Sequence, residues 1–201
     1  MRLYLGLVHF PVYNKNRRAI ASAVTTFDLH DLSRLAKTYG AKGLFIVTPL
    51  KDQQELVKRV IRHWEEGFGS EYNPDRKKAL ALATISESIG SSMEQIEGRE
   101  GERPLLIATA ASFRNGKPIS YPEASGLLTE GKVVFLVFGT AWGLTQEVIE
   151  NSDFVLDPIL GRTGYNHLSV RAAAAIILDR LTGSYGNSPQ VRAPGHEPSV
   201  R

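Results

Sequence analysis

Polar side chains stand directly before a strongly apolar segment near the C-terminal end of the chain. In TGYNHLSVRAAAAIILDRLTG, residues 163–183, the polar residues Tyr165, Asn166, His167 and Ser169 precede a run of alanines and branched aliphatic residues. Side chains of these types can cap the free backbone N–H groups of a first helical turn, and they can also bind a ligand there. From these residues alone, capping by Asn166 or Ser169 is the simpler interpretation.

Two further loops also follow predicted strands and are rich in small residues. The three loops are ATAAS (residues 108–112), FGTAWGL (residues 138–144) and DPILGRTGYNHLS (residues 157–169). Parallel α/β sheets bind ligands beyond the carboxyl ends of their strands, because backbone amides and carbonyls are left unpaired there. Gly139 and Gly143 permit close approach to the backbone, and Trp142 offers a flat apolar face. A single glycine loop is more often an ordinary turn, so the prediction of a binding site depends on the three together.

One motif has the spacing of a phosphate-binding loop in the wrong context. GLLTEGK, residues 126–132, fits the pattern G-x-x-x-x-G-K, but Val133 stands where the pattern needs Ser or Thr. A phosphate loop follows a strand and opens a helix, whose free amides face the phosphate, whereas here a strand comes after the loop. A nucleotide-hydrolysing enzyme built around Lys132 is therefore the weakest of the alternatives.

Short apolar runs alternate with amphipathic segments, which predicts an α/β fold with a mostly parallel sheet of about six strands. The predicted strands are residues 2–8, 43–48, 79–84, 104–110, 133–139 and 154–159. The predicted helices are one from Asp28 or Asp31 to Tyr39, one within residues 50–69, and others over residues 86–96, 121–129, 144–151 and 166–181.

Composition favours one soluble domain. With 201 residues, 42% of them hydrophobic, the chain is long enough for a single domain with a core, which we predict over residues 1–183. Residues 184–201, SYGNSPQVRAPGHEPSVR, have few large apolar side chains and predict a flexible tail. The chain has no cysteine, which excludes disulfides and thiolate chemistry and is compatible with a reducing cytoplasm. No apolar run approaches the roughly 20 residues of a membrane helix, so we expect a soluble protein. Together with the lack of cysteine, this leads us to predict a cytoplasmic location.

The charge is mildly basic, and the positive residues are clustered. The formal net charge is +3, and the clusters lie at residues 15–18, 59–62, 76–78 and 114–117. Such surfaces attract polyanions through counterion release, although basic clusters are more often solvated surface. The distribution raises the expectation of a nucleic-acid partner without identifying one.

The C-terminal loops and helix resemble the C-terminal motifs of the SPOUT superfamily, the trefoil-knotted RNA methyltransferases that use S-adenosylmethionine. The resemblance is carried by GTAWGL (residues 139–144) and, most specifically, by YNHLSVRAAAAIILDRL (residues 165–181). Together with HFPVYNKN (residues 9–16) and TFDLHDLSRLAKTYG (residues 26–40), it extends to a small bacterial subfamily that is sometimes fused to the tRNA guanine-N1 methyltransferase. It covers nearly everything before residue 184.

This resemblance implies a C-terminal trefoil knot, in which the last strand and helix thread through an earlier loop against the usual rule, and a homodimer formed through the knot. It also implies that S-adenosylmethionine binds in the knot, where backbone groups read its adenine. The matching cofactor-binding positions are Thr109 and Ala110 in the first loop, Gly139, Thr140, Trp142 and Gly143 in the second, and Pro158, Ile159, Tyr165, Asn166, Leu168 and Ser169 in the third. Binding then outweighs capping as the role of the polar cluster.

A similarity to the first motif of the SPOUT 2′-O-methyltransferases points to Arg34, on a helix that precedes the predicted strand GLFIV. The Asn and Gly that usually precede this arginine are replaced by HDLS, residues 30–33, so the acceptor atom is not assigned. Because a guanidinium stays protonated, we expect Arg34 to stabilise phosphate or transition-state charge, with His30 or Asp31 as the base. The alternative is a surface ion pair between Asp31 and Arg34, worth well under roughly 1 kcal/mol.

The predicted function is methyl transfer from S-adenosylmethionine to a nucleotide of structured RNA, either tRNA or rRNA. No metal is required, because the main need is to hold acceptor and methyl group in a near-attack geometry. The expected partners are RNA and a second copy of the chain, and we expect no binding to a membrane. The main alternative is a catalytically silent RNA-binding or scaffold module with the same fold.

Overall fold

A sheet of seven parallel strands forms the centre of the molecule. The computed structural model describes residues 1–183, so the predicted tail lies outside the described residues. In their order across the sheet, the strands are β5 (Ala83–Ser86), β4 (Gly43–Val47), β1 (Arg2–Val8), β8 (Val133–Gly139), β6 (Leu105–Ala108), β9 (Phe154–Leu156) and β7 (Pro118–Ile119). A separate antiparallel ribbon pairs β2 (Val12–Tyr13) with β3 (Ala19–Ile20). The predicted α/β class and parallel sheet are confirmed.

Helices cover both faces of the sheet. One face carries α1 (Thr26–Thr38), α2 (Lys51–Glu65), α6 (Tyr121–Thr129) and α8 (Val170–Thr182), and the other carries α5 (Ile89–Glu100) and α7 (Gln146–Glu150). Two short helices, α3 (Phe68–Tyr72) and α4 (Pro74–Leu80), lie between α2 and β5. Strand-to-strand connections that move across the sheet toward β5 carry their helices on one face, and connections that move toward β7 carry them on the other. Right-handed connections require this arrangement. None of the helices in residues 1–183 has the length and apolar character that a membrane crossing needs.

Gly6 lies at the centre of the sheet, where a side chain does not fit. A Cβ at this position would lie 2.8 Å from Cζ of Phe135 and 2.9 Å from Cγ1 of Val137. Both neighbours are fully buried and close-packed, so neither can move aside. The glycine therefore lets the Phe135 ring pack across β1, which pairs with β8 along seven residues.

We expect Gly6→Ala to lower the free energy of unfolding by about 1–3 kcal/mol, because the added methyl group overpacks the core. Gly98→Ala is the matched control: Gly98 is exposed on α5, with no atom within 4 Å of its added Cβ. Alanine there should raise stability by up to about 1 kcal/mol through its higher helix propensity. Urea denaturation measures both, and a neutral Gly6→Ala would contradict the packing argument.

The strand predicted over residues 79–84 is wrong in its first half. Its first residues form the buried end of α4, and β5 begins only at Ala83. Asn73 caps α4 by accepting a hydrogen bond from the backbone N–H of Arg76, and Pro74 opens the helix. A short apolar run such as ALALAT does not distinguish a helix end from a strand, so the Asn-Pro start signal is the better guide.

The predicted helix starts also differ from the structure. Thr25, not Asp28 or Asp31, caps α1, and its Oγ1 accepts a hydrogen bond of 3.1 Å from the backbone N–H of Asp28. At α8 the cap is Ser169, which accepts from the backbone N–H of Ala172 at 3.2 Å. The helix predicted to start at residue 166 therefore starts at residue 170, and the polar residues before Ser169 form a loop.

The smallest elements were not predicted. β2, β3 and β7 have two residues each, which is too short for any alternation of apolar and polar residues to be visible. α5 is shifted relative to its prediction, because Ser88 caps it through the backbone N–H of Ser91 and Gly101, in a left-handed conformation, ends it. These errors leave the positions of the three predicted loops unchanged.

Candidate binding cavity

The three predicted loops meet in one cavity at the carboxyl edge of the sheet. They follow β6, β8 and β9, and the cavity between them has a volume of about 670 Å³. Residues of α1, α7 and α8 complete its wall. The predicted positions that line it are Thr109, Ala110, Gly139, Thr140, Trp142, Gly143, Ile159, Asn166, Leu168 and Ser169. The fold thus brings together most of the positions that the resemblance assigned to a cofactor.

Two predicted positions lie outside this wall. Pro158 is buried behind the loop, and Tyr165 is 74% exposed. The ring of Tyr165 lies 6.2 Å from the ring of His167, which does line the cavity. Tyr165 therefore stands at the outer side of the cavity mouth.

The loop after β8 is pinned by the ribbon strand β2. The backbone N–H of Trp142 donates to the carbonyl of Tyr13 at 3.0 Å, and the N–H of Tyr13 donates to the carbonyl of Gly143 at 2.9 Å. Gly143 has a φ of 91°, which favours glycine, and a Cβ at Gly139 would lie 2.5 Å from the backbone nitrogen of Leu144. The tight turn leaves the Trp142 side chain 57% exposed at the cavity.

Asn166 joins two of the loops. Its Nδ2 donates to the carbonyl of Ala111, after β6, at 2.6 Å and to the carbonyl of Ile159, after β9, at 2.9 Å. Since Ser169 provides the helix cap, the amide of Asn166 serves the loops and not the helix. Of the two predicted roles of the polar cluster, helix capping therefore belongs to Ser169, whereas Asn166 holds together loops that line the cavity.

A buried chain of hydrogen bonds supports Thr140 from behind. Its hydroxyl donates to the carbonyl of Val8 at 2.9 Å and lies 2.6 Å from the hydroxyl of Ser22. Because the Thr140 proton is used, Ser22 donates to Thr140, and Nδ1 of His9, 3.0 Å from Ser22, is left as the donor to Ser22. Burial lowers the pKa of His9 to about 4, against a weaker opposing effect of the Asp28 carboxylate, so the ring is neutral at physiological pH.

The lowered pKa of His9 predicts a pH dependence of folding. The unfolded chain binds a proton near pH 6.5 and the folded chain only near pH 4, so stability is lost as the pH falls through this window. Over this pH range, we expect the free energy of unfolding of His9→Gln to fall by up to about 3 kcal/mol less than that of the wild type. Urea denaturation between pH 7 and pH 4 measures the difference, and identical slopes for both proteins would contradict the assignment.

The cavity also contains a charged pair that the sequence analysis missed. Oδ1 of Asp28 lies 3.1 Å from Nε of Arg171, and Nη1 of Arg171 donates to Oδ2 of Asp31 at 2.9 Å. Asp28 and Arg171 line the cavity from α1 and α8, as does Arg114 from the loop after β6. The partners are about 140 residues apart in sequence, so no local pattern connects them.

The three predicted catalytic residues do not line the cavity. Arg34 lies in a separate groove between α1 and α4, and His30 packs edge-on against Trp64, with ring centroids 5.4 Å apart. Burial, followed by the charge of Arg76, lowers the pKa of His30. The salt bridge of Asp31 is with Arg171 and not with Arg34, because the fold brings α8 against the side of α1 that carries Asp31. Their catalytic role stays a prediction.

The GLLTEGK motif is a helix end, as its context indicated. Gly126 belongs to α6, and Gly131, with a φ of 79°, forms the turn before β8. The N–H of Lys132 donates to the carbonyl of Leu127 at 2.9 Å. Backbone amides that a phosphate would need are therefore used to end the helix.

Solved methyltransferase structures share this fold. TrmJ from Z. mobilis ZM4 has a TM-score of 0.60 at 10% identity, covering 92% of this chain and 70% of that one. A putative methylase family protein from Neisseria gonorrhoeae has a TM-score of 0.60 at 16% identity, covering 98% and 88%. The SpoU methyltransferase AviRb from Streptomyces viridochromogenes, solved with AdoMet, has a TM-score of 0.51 at 18% identity, covering 90% and 58%. The fold is that of the SPOUT methyltransferases.

Sequence similarity is more specific. A family model described as SAM-dependent RNA methyltransferase matches residues 2–183, and the chain belongs to this family. Two tRNA (guanine-N(1)-)-methyltransferases, from Oleidesulfovibrio alaskensis and Nitratidesulfovibrio vulgaris, are 45% and 43% identical over 185 and 181 residues, 90% of this chain. The chain spans only 42% of the length of each. An uncharacterised protein of Aquifex aeolicus is 34% identical over 89% of this chain and 87% of its own length.

Proposed function

We propose that the cavity at the carboxyl edge of the sheet binds S-adenosylmethionine and that the chain methylates a nucleotide of structured RNA. The observation that carries the proposal is the meeting of three loops, from distant parts of the sequence, around one cavity in a chain of this family. Ligand pockets typically measure about 300–1,000 Å³ and combine an apolar lining with a few placed polar groups. The cavity agrees with this description in size and in lining.

The walls fit a nucleoside with a sulfonium side chain. An added Cβ at Gly143 would meet no atom within 4 Å, so the loop leaves open space, and Trp142 beside it presents an exposed ring. The loops offer small residues and main-chain polar groups, which suit recognition of the adenine edge. When bound, S-adenosylmethionine supplies a methyl group that an acceptor atom can attack directly.

Charged groups at the cavity would order the acceptor. Among the residues that line it, Asp28 is the acidic one, and it is held by Thr25 and by Arg171. Its placement favours Asp28 over His30 and Asp31 as the group that accepts a proton from the acceptor. Arg171, paired with two carboxylates, would keep this geometry fixed while RNA binds.

The proposed partners are RNA, of the tRNA or rRNA class, and a second copy of the chain. Five exposed apolar or aromatic side chains belong to the cavity lining or follow or precede a lining residue directly in the chain: Phe27, Phe113, Trp142, Leu160 and Tyr165. Exposed apolar side chains are typical of protein interfaces, and we propose that they are covered in a homodimer formed through the C-terminal region, which the resemblance implies to be knotted. The activity in the names of the two bacterial relatives describes chains more than twice as long, so guanine-N1 is not assigned here.

We expect Trp142→Ala and Asn166→Ala each to weaken S-adenosylmethionine binding about tenfold or more. The first removes a stacking surface, and the second releases the loops after β6 and β9 from each other. Isothermal titration calorimetry measures the effect, with Tyr72→Ala, an exposed aromatic outside the cavity, as the control. No heat from the wild type, together with retained RNA binding, would favour the catalytically silent module.

Arg34→Ala should leave cofactor binding intact and abolish methyl transfer. Because Arg34 lies outside the cavity of its own chain, the proposal requires it to serve the cavity of the partner subunit. Mixing Arg34→Ala with Trp142→Ala/Asn166→Ala subunits, at a cofactor concentration too low to occupy the double variant, would then restore about one quarter of the wild-type activity, since half of the dimers contain one intact site of two. Transfer of a labelled methyl group to total RNA measures this. Normal activity of Arg34→Ala would exclude a catalytic role, and failure of mixing would exclude the shared site.

A further inference from the structure

A second concave surface, the α1–α4 groove, is separate from the cavity and strongly basic. Its basic lining residues are Arg34, Lys37, Arg76 and Lys78. Asp75 also lines it and forms an ion pair with Lys78 at 2.9 Å. With four basic side chains and one acidic side chain, the described lining of the groove carries a net positive charge.

An exposed aromatic pair adjoins the groove. Phe68 and Tyr72 on α3 are 75% and 76% exposed, and their rings stack with centroids 6.1 Å apart and an angle of 24° between the planes. The next residue, Asn73, already lines the groove. Two large exposed rings, side by side and next to a cluster of basic side chains, are the combination with which proteins bind single-stranded nucleic acid.

Tight packing sets the aromatic pair relative to the groove. A Cβ at Gly69 would lie 2.7 Å from Cε3 of Trp64, and one at Gly67 would lie 2.7 Å from the carbonyl oxygen of His63. The guanidinium of Arg76 lies over the same Trp64 ring, 4.6 Å from its centroid. Trp64 thus supports α3 on one side and a basic residue of the groove on the other, so pair and groove form one surface.

We propose that this surface binds a single-stranded segment of the RNA substrate, with phosphates in the α1–α4 groove and bases stacked on Phe68 and Tyr72. The proposal rests on the proposed function for the identity of the polyanion. The proposed function places Arg34 at the cavity of the partner subunit, so an RNA segment held in this groove would extend to that cavity. A protein partner would use the aromatic pair but would have no need for four cations beside it.

The test is fluorescence anisotropy of the full chain with a fluorescein-labelled oligouridine of about 12 nucleotides, within the usual site size. Lys37→Ala/Lys78→Ala should weaken binding and reduce the slope of log K against log salt by about 0.7 per lysine. Phe68→Ala/Tyr72→Ala should weaken binding about tenfold or more with an unchanged slope. S-adenosylmethionine binding by calorimetry should stay normal in both, which shows that the fold is intact.

Matched variants separate the specific effect from general ones. Lys51→Ala/Lys58→Ala removes the same charge from α2, outside groove and cavity, and should bind more tightly than the groove variant. Phe68→Tyr/Tyr72→Phe should bind as the wild type, whereas Phe68→Leu/Tyr72→Leu should not. The inference is overturned if Phe68→Leu/Tyr72→Leu binds normally or if both alanine double variants bind normally. It is also overturned if the wild type does not bind oligouridine. If the wild type also fails to bind total cellular RNA, the proposed function itself is excluded.

Discussion

The parallel pairing of β1 with β8 is the constraint on which the rest of the molecule depends. The two strands run in register from Arg2–Val133 to Val8–Gly139, and Gly6 allows Phe135 to pack across them. Because both strands end at the same level, the loop after β8 starts beside the end of β1, and the N–H of Thr140 donates to the carbonyl of Val8 at 3.2 Å. The cavity is built outward from this point, so its floor inherits the rigidity of the sheet centre.

Main-chain contacts and a few bridging side chains hold the cavity walls. The β2 ribbon fixes the loop after β8, Asn166 ties the loops after β6 and β9, and His9 and Ser22 support Thr140 from the core. Groups of this kind are pre-organised before any ligand arrives, so little ordering is left for binding to offset. Under the proposed function, small residues suffice in such a site, because backbone atoms would recognise the cofactor.

Two arginines illustrate how pairing separates roles along α1. Arg171 faces the cavity with two carboxylates, Asp28 and Asp31, and its charge is compensated within the protein. Arg34 lies on α1, the helix that carries these two carboxylates, but in the α1–α4 groove, whose lining has a net positive charge. A compensated cation orients its neighbours, whereas a surface with net positive charge attracts polyanions. The same helix thus connects a site suited to a small cofactor with a surface suited to RNA.

The sequence by itself determined the α/β class, most strands and helices, and the three loops of the cavity, because apolar periodicity and the rule that parallel sheets bind at their carboxyl ends depend only on local pattern. Motif similarity added the family. Only the tertiary structure decided that Ser169 caps α8 while Asn166 bridges loops. It also decided that Asp31 forms its ion pair with Arg171 and not with Arg34, which lies in the groove beside α4. These choices depend on which of several possible partners the fold brings within hydrogen-bonding distance, and residues some 140 positions apart leave no trace of that in a linear pattern.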